Sequence, residues 1–303
     1  MKVGFIGLGV MGAPMALNIL KKGHQLTVFD LNPQAVATLV KAGAKSVQSA
    51  KEVGQHSEIV VTMLPEPKHV EEVILGAGGV VEGLAPNGLV IDMSTIDPIT
   101  SKRVGDKLRA LGHEMVDSPV GKTSEHAATG TLTLMVGGNP AAIERAMPVL
   151  KCMGTDTFFC GGPGLGHAMK MTNNLLATTI MIANTEVLSI GIKAGLKLEL
   201  MQEVMSTTMA WNQQFAVAMP KKAFLGDDSP GFAIRLACKD VRLACDAAKV
   251  MGFEALVGRA AQQTMERAIG MGLGDRDTAA LMFIREKELG IEVRQKPAAV
   301  KAA

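Results

Sequence analysis

The sequence predicts an α/β chain in which a doubly wound, mainly parallel sheet fills the first half and an all-helical domain the second. Three observations predict it. Short buried strands alternate with helical segments up to about residue 160. A glycine-rich turn joins the first strand to the first helix. Beyond the break formed by Gly161, Gly162, Pro163 and Gly164, only helical patterns continue. With 303 residues, 48% of them hydrophobic and 20% charged, the chain can fill two cores. The expected division is residues 1–161, residues 162–291 and a tail over residues 292–303.

The first strand and turn lie in KVGFIGLGVMG. Val3, Phe5 and Ile6 read as a buried strand, and Gly7, Gly9 and Gly12 form G-x-G-x-x-G, with Leu8, Val10 and Met11 filling the loop. The next segment, PMALNILKKG, repeats Met15, Ile19 and Leu20 at helical spacing. Strand, turn and helix in this order predict a Rossmann domain. Gly7 permits the tight turn, Gly9 lets the backbone approach a pyrophosphate, and Gly12 allows close helix-strand packing. A dinucleotide is the expected ligand.

The second strand, LTVFD, ends at Asp30, eighteen residues after Gly12. That spacing suits a carboxylate receiving the adenosine ribose hydroxyls. A ribose 2′-phosphate would meet repulsion there, and Leu31, Asn32 and Pro33 offer no arginine to hold it. The expected cofactor is therefore NAD and not NADP. Two more buried strands, IVVTMLP (Ile59 to Pro65) and LVIDMST (Leu89 to Thr95), end in small polar residues or proline. Ligands bind at such strand ends in doubly wound sheets. A helix around Ser101 to Leu111 and strands at Glu114–Asp117 and Leu132–Val136 complete the expected sheet domain.

Beyond the break, a long helix is expected through about Gly191, with further helices to about residue 290. Near its start, GLGHAMKMTNN places Lys170 and Asn174 four residues apart, so both side chains leave one helical face. A cation beside a carboxamide suits a carbonyl that becomes an alkoxide. The tail VRQKPAAVKAA has no apolar period and is expected to fray or to pack on another subunit.

Other classes fit poorly. The net charge is +2, no basic run exceeds a pair, and aromatic residues make up 3% with no tyrosine, so a nucleic-acid footprint is absent. The first strand starts too early to leave room for a signal peptide, and no apolar stretch is expected to reach membrane-span length without interruption. A cytoplasmic protein is expected. Cys152, Cys160, Cys238 and Cys245 lack C-x-x-C spacing and read as reduced core residues. The six histidines show no metal-ligand spacing, so no metal is expected, and His167 is placed on the helix flank. The twenty methionines read as adaptable core filler.

Three motifs occur in order: GLGVMGAPMALNILKKGH, DSPVGKTSEHAATGTL and GLGHAMKMTNN. Through them the chain resembles the β-hydroxyacid dehydrogenases over about residues 1–290. The resemblance implies hydride transfer between nicotinamide and a carbon bearing a terminal alcohol or aldehyde. It makes Lys170 the general acid in reduction and general base in oxidation, with Asn174 orienting the reacting oxygen. It places Ser94 and Thr95 beside nicotinamide and substrate, Leu64 and Pro65 beside the adenosine, and Lys239 near the cofactor. Asp240 becomes an orienting partner, and Phe232 borders the pocket. A lysine buried there loses hydration, which lowers its pKa towards neutrality.

Many family members carry Ser-Gly-Gly where this chain has Gly121, Lys122 and Thr123, followed by Ser124. Sulfolactaldehyde reductases resemble Gly-Arg-Thr-Ser there, which implies that Lys122 holds the substrate's anionic group as a point charge without arginine's fork. Ala177, one turn beyond Asn174, lacks a serine hydroxyl that would add a contact. A small anionic semialdehyde is thus expected, sulfolactaldehyde first and succinic semialdehyde next. 3-Hydroxyisobutyrate and tartronate semialdehyde rank lower. Decarboxylating 6-phosphogluconate dehydrogenases read K-x-x-H-N, but Asn173 stands at that histidine position, and imine reductases generally lack the lysine. A non-catalytic NAD sensor is the reading from another class, and intact Lys170, Asn174 and Asp240 count against it. The long apolar helices, such as Asn174 to Ala194, imply a homodimer or homotetramer.

Overall fold

The computed structural model describes residues 1–295. They form two compact units, Met1–Thr172 and the residues from Asn173 onward.

The first unit is built on nine strands: β1 (Lys2–Ile6), β2 (Gln25–Phe29), β3 (Lys45–Ser46), β4 (Ile59–Thr62), β5 (Leu89–Asp92), β6 (Glu114–Asp117), β7 (Val120–Gly121), β8 (Leu132–Gly138) and β9 (Gly154–Gly161). They run in the order β3-β2-β1-β4-β5-β6-β8-β7, with β9 on β8. The strands from β3 to β6 pair in parallel, β8 is antiparallel to β6 and β7, and β9 is parallel to β8. The order reverses between β1 and β4, which opens a topological switch point at their C-terminal ends.

Strand alternation sorts the core into two faces. Val3, Phe5, Val61, Ile91 and Val116 join one cluster; Ile6, Val60, Val90 and Met115 join the other. Helices α1 (Gly12–Lys21), α2 (Pro33–Lys41), α3 (Ala50–Gln55), α4 (Pro67–Leu75), α5 (Pro98–Ala110), α6 (Ser124–Thr129) and α7 (Pro140–Leu150) connect the strands. Met15 and Ile19 of α1, Leu39 of α2 and Ala146 of α7 cover the first face. Val53 of α3, Val70 and Ile74 of α4, and Val104 and Leu108 of α5 cover the second. Parallel strands buried on both faces are the physical form of the uninterrupted Val/Ile/Leu runs in the sequence.

Helix α8 (Leu165–Lys193) leaves the first unit and continues into the second. The sequence predicts a domain boundary at residue 161, whereas the first compact unit reaches Thr172. The helix start is tied to the sheet: the Gly164 and His167 amides donate to the Asp117 carboxylate at 2.7 and 2.9 Å. A further difference concerns membrane spans. Helix α8 is long and apolar enough to cross a membrane by length and composition, with mean hydropathy 1.6 over eighteen residues. It serves as a core helix, burying Met181, Ile182 and Leu188 among its neighbours in the second unit.

In that unit follow α9 (Leu198–Ser206), a π-helical turn (Gln214–Ala218) running into α10 (Met219–Lys221), α11 (Ile234–Val250), α12 (Leu256–Gly270) and α13 (Ala280–Leu289). One cluster gathers Ile182, Val241, Cys245, Met265 and Leu281; a second gathers Leu188, Met201, Phe215, Phe224 and Met282. Trp211 and Phe224 each meet Phe215 edge to face, with centroids 5.4 and 6.0 Å away.

Some sequence expectations need revision. The patterns missed β3, β7 and β9. β9 is largely solvent-facing, with Phe158 and Phe159 exposed, so it carries no buried alternation. Residues 293–295, expected in a loose tail, pack: Val293 is fully buried and its amide donates to Glu286 at 2.7 Å. Residues 296–303 lie outside the described residues. Cys152, Cys238 and Cys245 are buried free thiols, and burial pushes each of them up, while Cys160 is half-exposed.

Candidate active site

The glycine turn shows why each glycine is needed. Gly7 adopts φ +96°, and a Cβ there would lie 2.2 Å from the Met63 carbonyl oxygen after β4. A Cβ on Gly12 would lie 1.8 Å from the Gly7 carbonyl oxygen. Gly9 is different, because a Cβ there meets nothing within 4 Å. Its face is open, so a pyrophosphate can approach the backbone. No side chain caps the start of α1, and a helix N-terminus of this kind suits an anion such as a pyrophosphate. Of the intervening residues Leu8 is buried, Met11 is half-buried and Val10 is exposed.

Asp30 stands beside this loop. Its carboxylate accepts the Leu8 amide at 2.5 Å and the Asn32 amide at 2.7 Å. Leu31 next to it is 92% exposed, leaving that flank without a cation. The turn and carboxylate therefore fit NAD. Replacing Asp30 by alanine together with Leu31 by arginine is expected to shift preference from NADH towards NADPH by roughly tenfold or more, the scale of one charge-assisted hydrogen bond. The ratio of kcat/KM for the two cofactors measures it, and an unchanged ratio would remove Asp30 from ribose recognition.

The ends of β4, β5 and β6 are joined by a buried polar network that the sequence patterns did not show. The Ser94 hydroxyl is fully buried and accepts the Leu64 amide at 2.8 Å. It therefore fastens the turn at Leu64 and Pro65 to the end of β5; Thr95, the next residue, is half-buried. Asp92 accepts the Thr62 hydroxyl at 2.8 Å and the Ser94 amide at 3.1 Å through Oδ1. His167, expected on a helix flank, is fully buried. Its Nδ1 lies 2.9 Å from Ser101 Oγ and its Nε2 3.0 Å from the Ser94 carbonyl oxygen. The missed signal was the pair of acidic residues, Asp92 and Asp117, at the C-terminal ends of adjacent strands.

Lys170 follows one turn after His167 on α8 and is half-buried. Gly121 closes β7. Lys122 adopts φ +75°, a left-handed conformation that glycine would take without strain. Its ammonium lies 2.7 Å from Asp156 Oδ2 and 2.8 Å from the Thr131 carbonyl oxygen. The anion-holding role expected of Lys122 thus competes with an existing ion pair, formed by a residue 34 positions away. Thr123 Oγ1 lies 2.9 Å from His126 Nδ1.

In the helical unit, Asn174, Lys239 and Asp240 come together. Asn174 Nδ2 donates to Asp240 Oδ2 at 2.7 Å, and Asn174 Oδ1 accepts from Asn173 at 3.1 Å. Lys239 Nζ is 3.0 Å from Asp240 Oδ1. Asn174 and Asp240 are both buried, so this carboxylate fixes which way the carboxamide faces. Phe232 is partly exposed, and its amide donates to Asp277 at 2.8 Å. A mainly apolar groove lies between α8 and the π-helical turn, lined by Asn173, Leu176, Ala177, Ile180, Gln214 and Val217. π-Helical turns often occur at functional sites.

Comparison with known proteins gives concordant matches for both halves. A family model described as the NAD binding domain of 6-phosphogluconate dehydrogenase matches residues 2–162. A second, described as the NAD-binding domain of NADP-dependent 3-hydroxyisobutyrate dehydrogenase, matches residues 164–284. The chain is 39% identical over 280 residues to 3-sulfolactaldehyde reductase of Escherichia coli (strain K12), covering 92% of this chain and 94% of that protein. It is 37% identical over 292 residues to 2-(hydroxymethyl)glutarate dehydrogenase of Eubacterium barkeri, covering 96% and 97%. Among solved structures, the Mycobacterium tuberculosis 3-hydroxyisobutyrate dehydrogenase with L-serine superposes with a TM-score of 0.87 at 30% identity, covering 93% of this chain and 98% of that one.

Proposed function

Because the chain belongs to the β-hydroxyacid dehydrogenase family of NAD-dependent oxidoreductases, we propose that it is a cytoplasmic reductase of a small anionic semialdehyde, with 3-sulfolactaldehyde as substrate. The reverse reaction oxidises the corresponding primary alcohol. NADH, when bound, supplies the hydride to the aldehyde carbon. Lys170 Nζ gives a proton to the carbonyl oxygen as that carbon is reduced, and takes it back in oxidation. Asn174 spends one amide hydrogen on Asp240 and keeps the second for the same oxygen. Lys170 and Asn174 share a helix face, which supports a joint action on one atom.

The sulfonate reading rests on one observation: a lysine occupies a left-handed position beside Thr123 and Ser124 where glycine would relieve the strain. Its partner Asp156 is half-exposed. Such surface pairs contribute about 0–1 kcal/mol, so a doubly hydrogen-bonded anion can displace the carboxylate. The experiment is NADH oxidation against sulfolactaldehyde, succinic semialdehyde, methylmalonate semialdehyde and tartronate semialdehyde, with wild type and Lys122→Ala. Preference for sulfolactaldehyde that drops by roughly tenfold or more in the variant is expected, the scale of one charged hydrogen bond. Preference for a carboxylate, unchanged in Lys122→Ala, would leave Lys122 as the Asp156 partner and return the substrate to the hydroxycarboxylates.

A homodimer or homotetramer completes the proposal. Leu176 and Ile190 of α8 and Leu200 and Val204 of α9 are exposed apolar side chains, which supports burial against a second copy.

A further inference from the structure

His167 occupies a place that neither metal binding nor the proton transfer explains. Its imidazole is fully buried, and groups from the ends of β5 and β6 and from α5 face it, with Asp117 Oδ2 3.7 Å from Nδ1. The Ser94 carbonyl can only accept, so the Nε2 facing it at 3.0 Å carries a proton and donates. Nδ1 meets the Ser101 hydroxyl of α5 at 2.9 Å. The His167 amide donates to Asp117 at the end of β6. Asp92 Oδ2, at the end of β5, has no hydrogen-bond partner among the described residues and lies 3.5 Å from Nε2. Ser94 in turn holds the Leu64 amide. One side chain therefore links the start of α8 to the strand ends that border the dinucleotide turn.

Lys170 is three residues further along the same helix. Any slide or rotation of this helix start carries the lysine with it, and a displacement of about 1 Å at a reacting group can lower a rate by about a hundredfold. We propose that His167 is a positioning residue, whose Nε2–H bond to the Ser94 carbonyl sets where Lys170 stands relative to the nicotinamide side of the sheet. The proposal rests on Lys170 being the proton donor.

Two amide substitutions separate the ring nitrogens. Glutamine places its Nε2 where the imidazole Nε2 stands and keeps the bond to Ser94. Asparagine reaches only the Nδ1 position and keeps Ser101. The measurements are kcat and KM for the aldehyde at saturating NADH, NADH affinity by fluorescence, and Tm. His167→Asn is expected to lower kcat by about tenfold or more with NADH affinity retained, whereas His167→Gln stays within about threefold of wild type. Equal losses in both variants, or none in either, would overturn the proposal, because packing alone would then account for the residue. Should the asparagine variant not fold, the glutamine variant decides: a kcat loss beyond about threefold overturns the proposal and retention supports it. Lys170→Ala measured beside them separates the two ideas. A dead Lys170→Ala with a fully active His167→Asn removes the positioning role alone, and an active Lys170→Ala removes the proton-donor assignment beneath it.

Discussion

Lys170→Ala is expected to lower kcat by about 10²–10⁴-fold, the usual contribution of one positioned proton donor, while NADH binding stays close to wild type. The reason is spatial. The glycine turn and Asp30 form the proposed dinucleotide site, and Lys170 belongs to neither. Its helix start is held separately through Asp117 and His167, so shortening the side chain leaves that frame in place. Steady-state turnover and NADH fluorescence titration check both halves of the expectation. A variant that lost cofactor affinity in step with turnover would place Lys170 in cofactor binding and remove it from the chemistry.

Gly12→Ala is expected to cost stability and cofactor binding together. A Cβ at this position lies 1.8 Å from the Gly7 carbonyl oxygen and 3.1 Å from Phe5 Cε1, and the nearest atom is backbone that cannot swing aside. The turn must open or α1 must retreat from β1. Alanine's better helix propensity returns at most about 1 kcal/mol, less than the 1–3 kcal/mol typical of overpacking plus the loss of turn geometry. A Tm lower by roughly 4–8 °C and weaker NADH binding should follow. Gly9→Ala provides the contrast. Its Cβ meets no protein atom within 4 Å, so the fold should hold while the room for a pyrophosphate shrinks. Wild-type Tm and NADH affinity in Gly12→Ala would mean that α1 does not approach the turn so closely in solution.

Much of the site was legible because its logic is local. Gly7, Gly9 and Gly12 answer to a single turn, and Asp30 to the end of the next strand. Lys170 and Asn174 share a face because they sit one turn apart on one helix. The expected doubly wound sheet followed by an all-helical half is the observed order of elements. What local spacing did not show shares a physical cause. The Ser94 hydroxyl also accepts the Leu64 amide, thirty positions back. The pairing of Lys122 with Asp156 exists because β9 brings the two side by side. β9 itself escapes notice because a mostly exposed strand has no apolar period.

The sequence by itself determined the alternation of strands and helices, the glycine turn and the candidate residues proposed to carry the chemistry, since each depends on spacing along the chain. Tertiary structure alone decided how those residues are held. Asp117 accepts the amide of Gly164, 47 positions later and just before α8, His167 reaches back 73 positions to Ser94, and Asp240 orients Asn174 from 66 positions away. Such pairings form only after the long intervening loops have closed. The burial that gives them weight comes from the packed sheet and helices around them, which no local pattern of residues encodes.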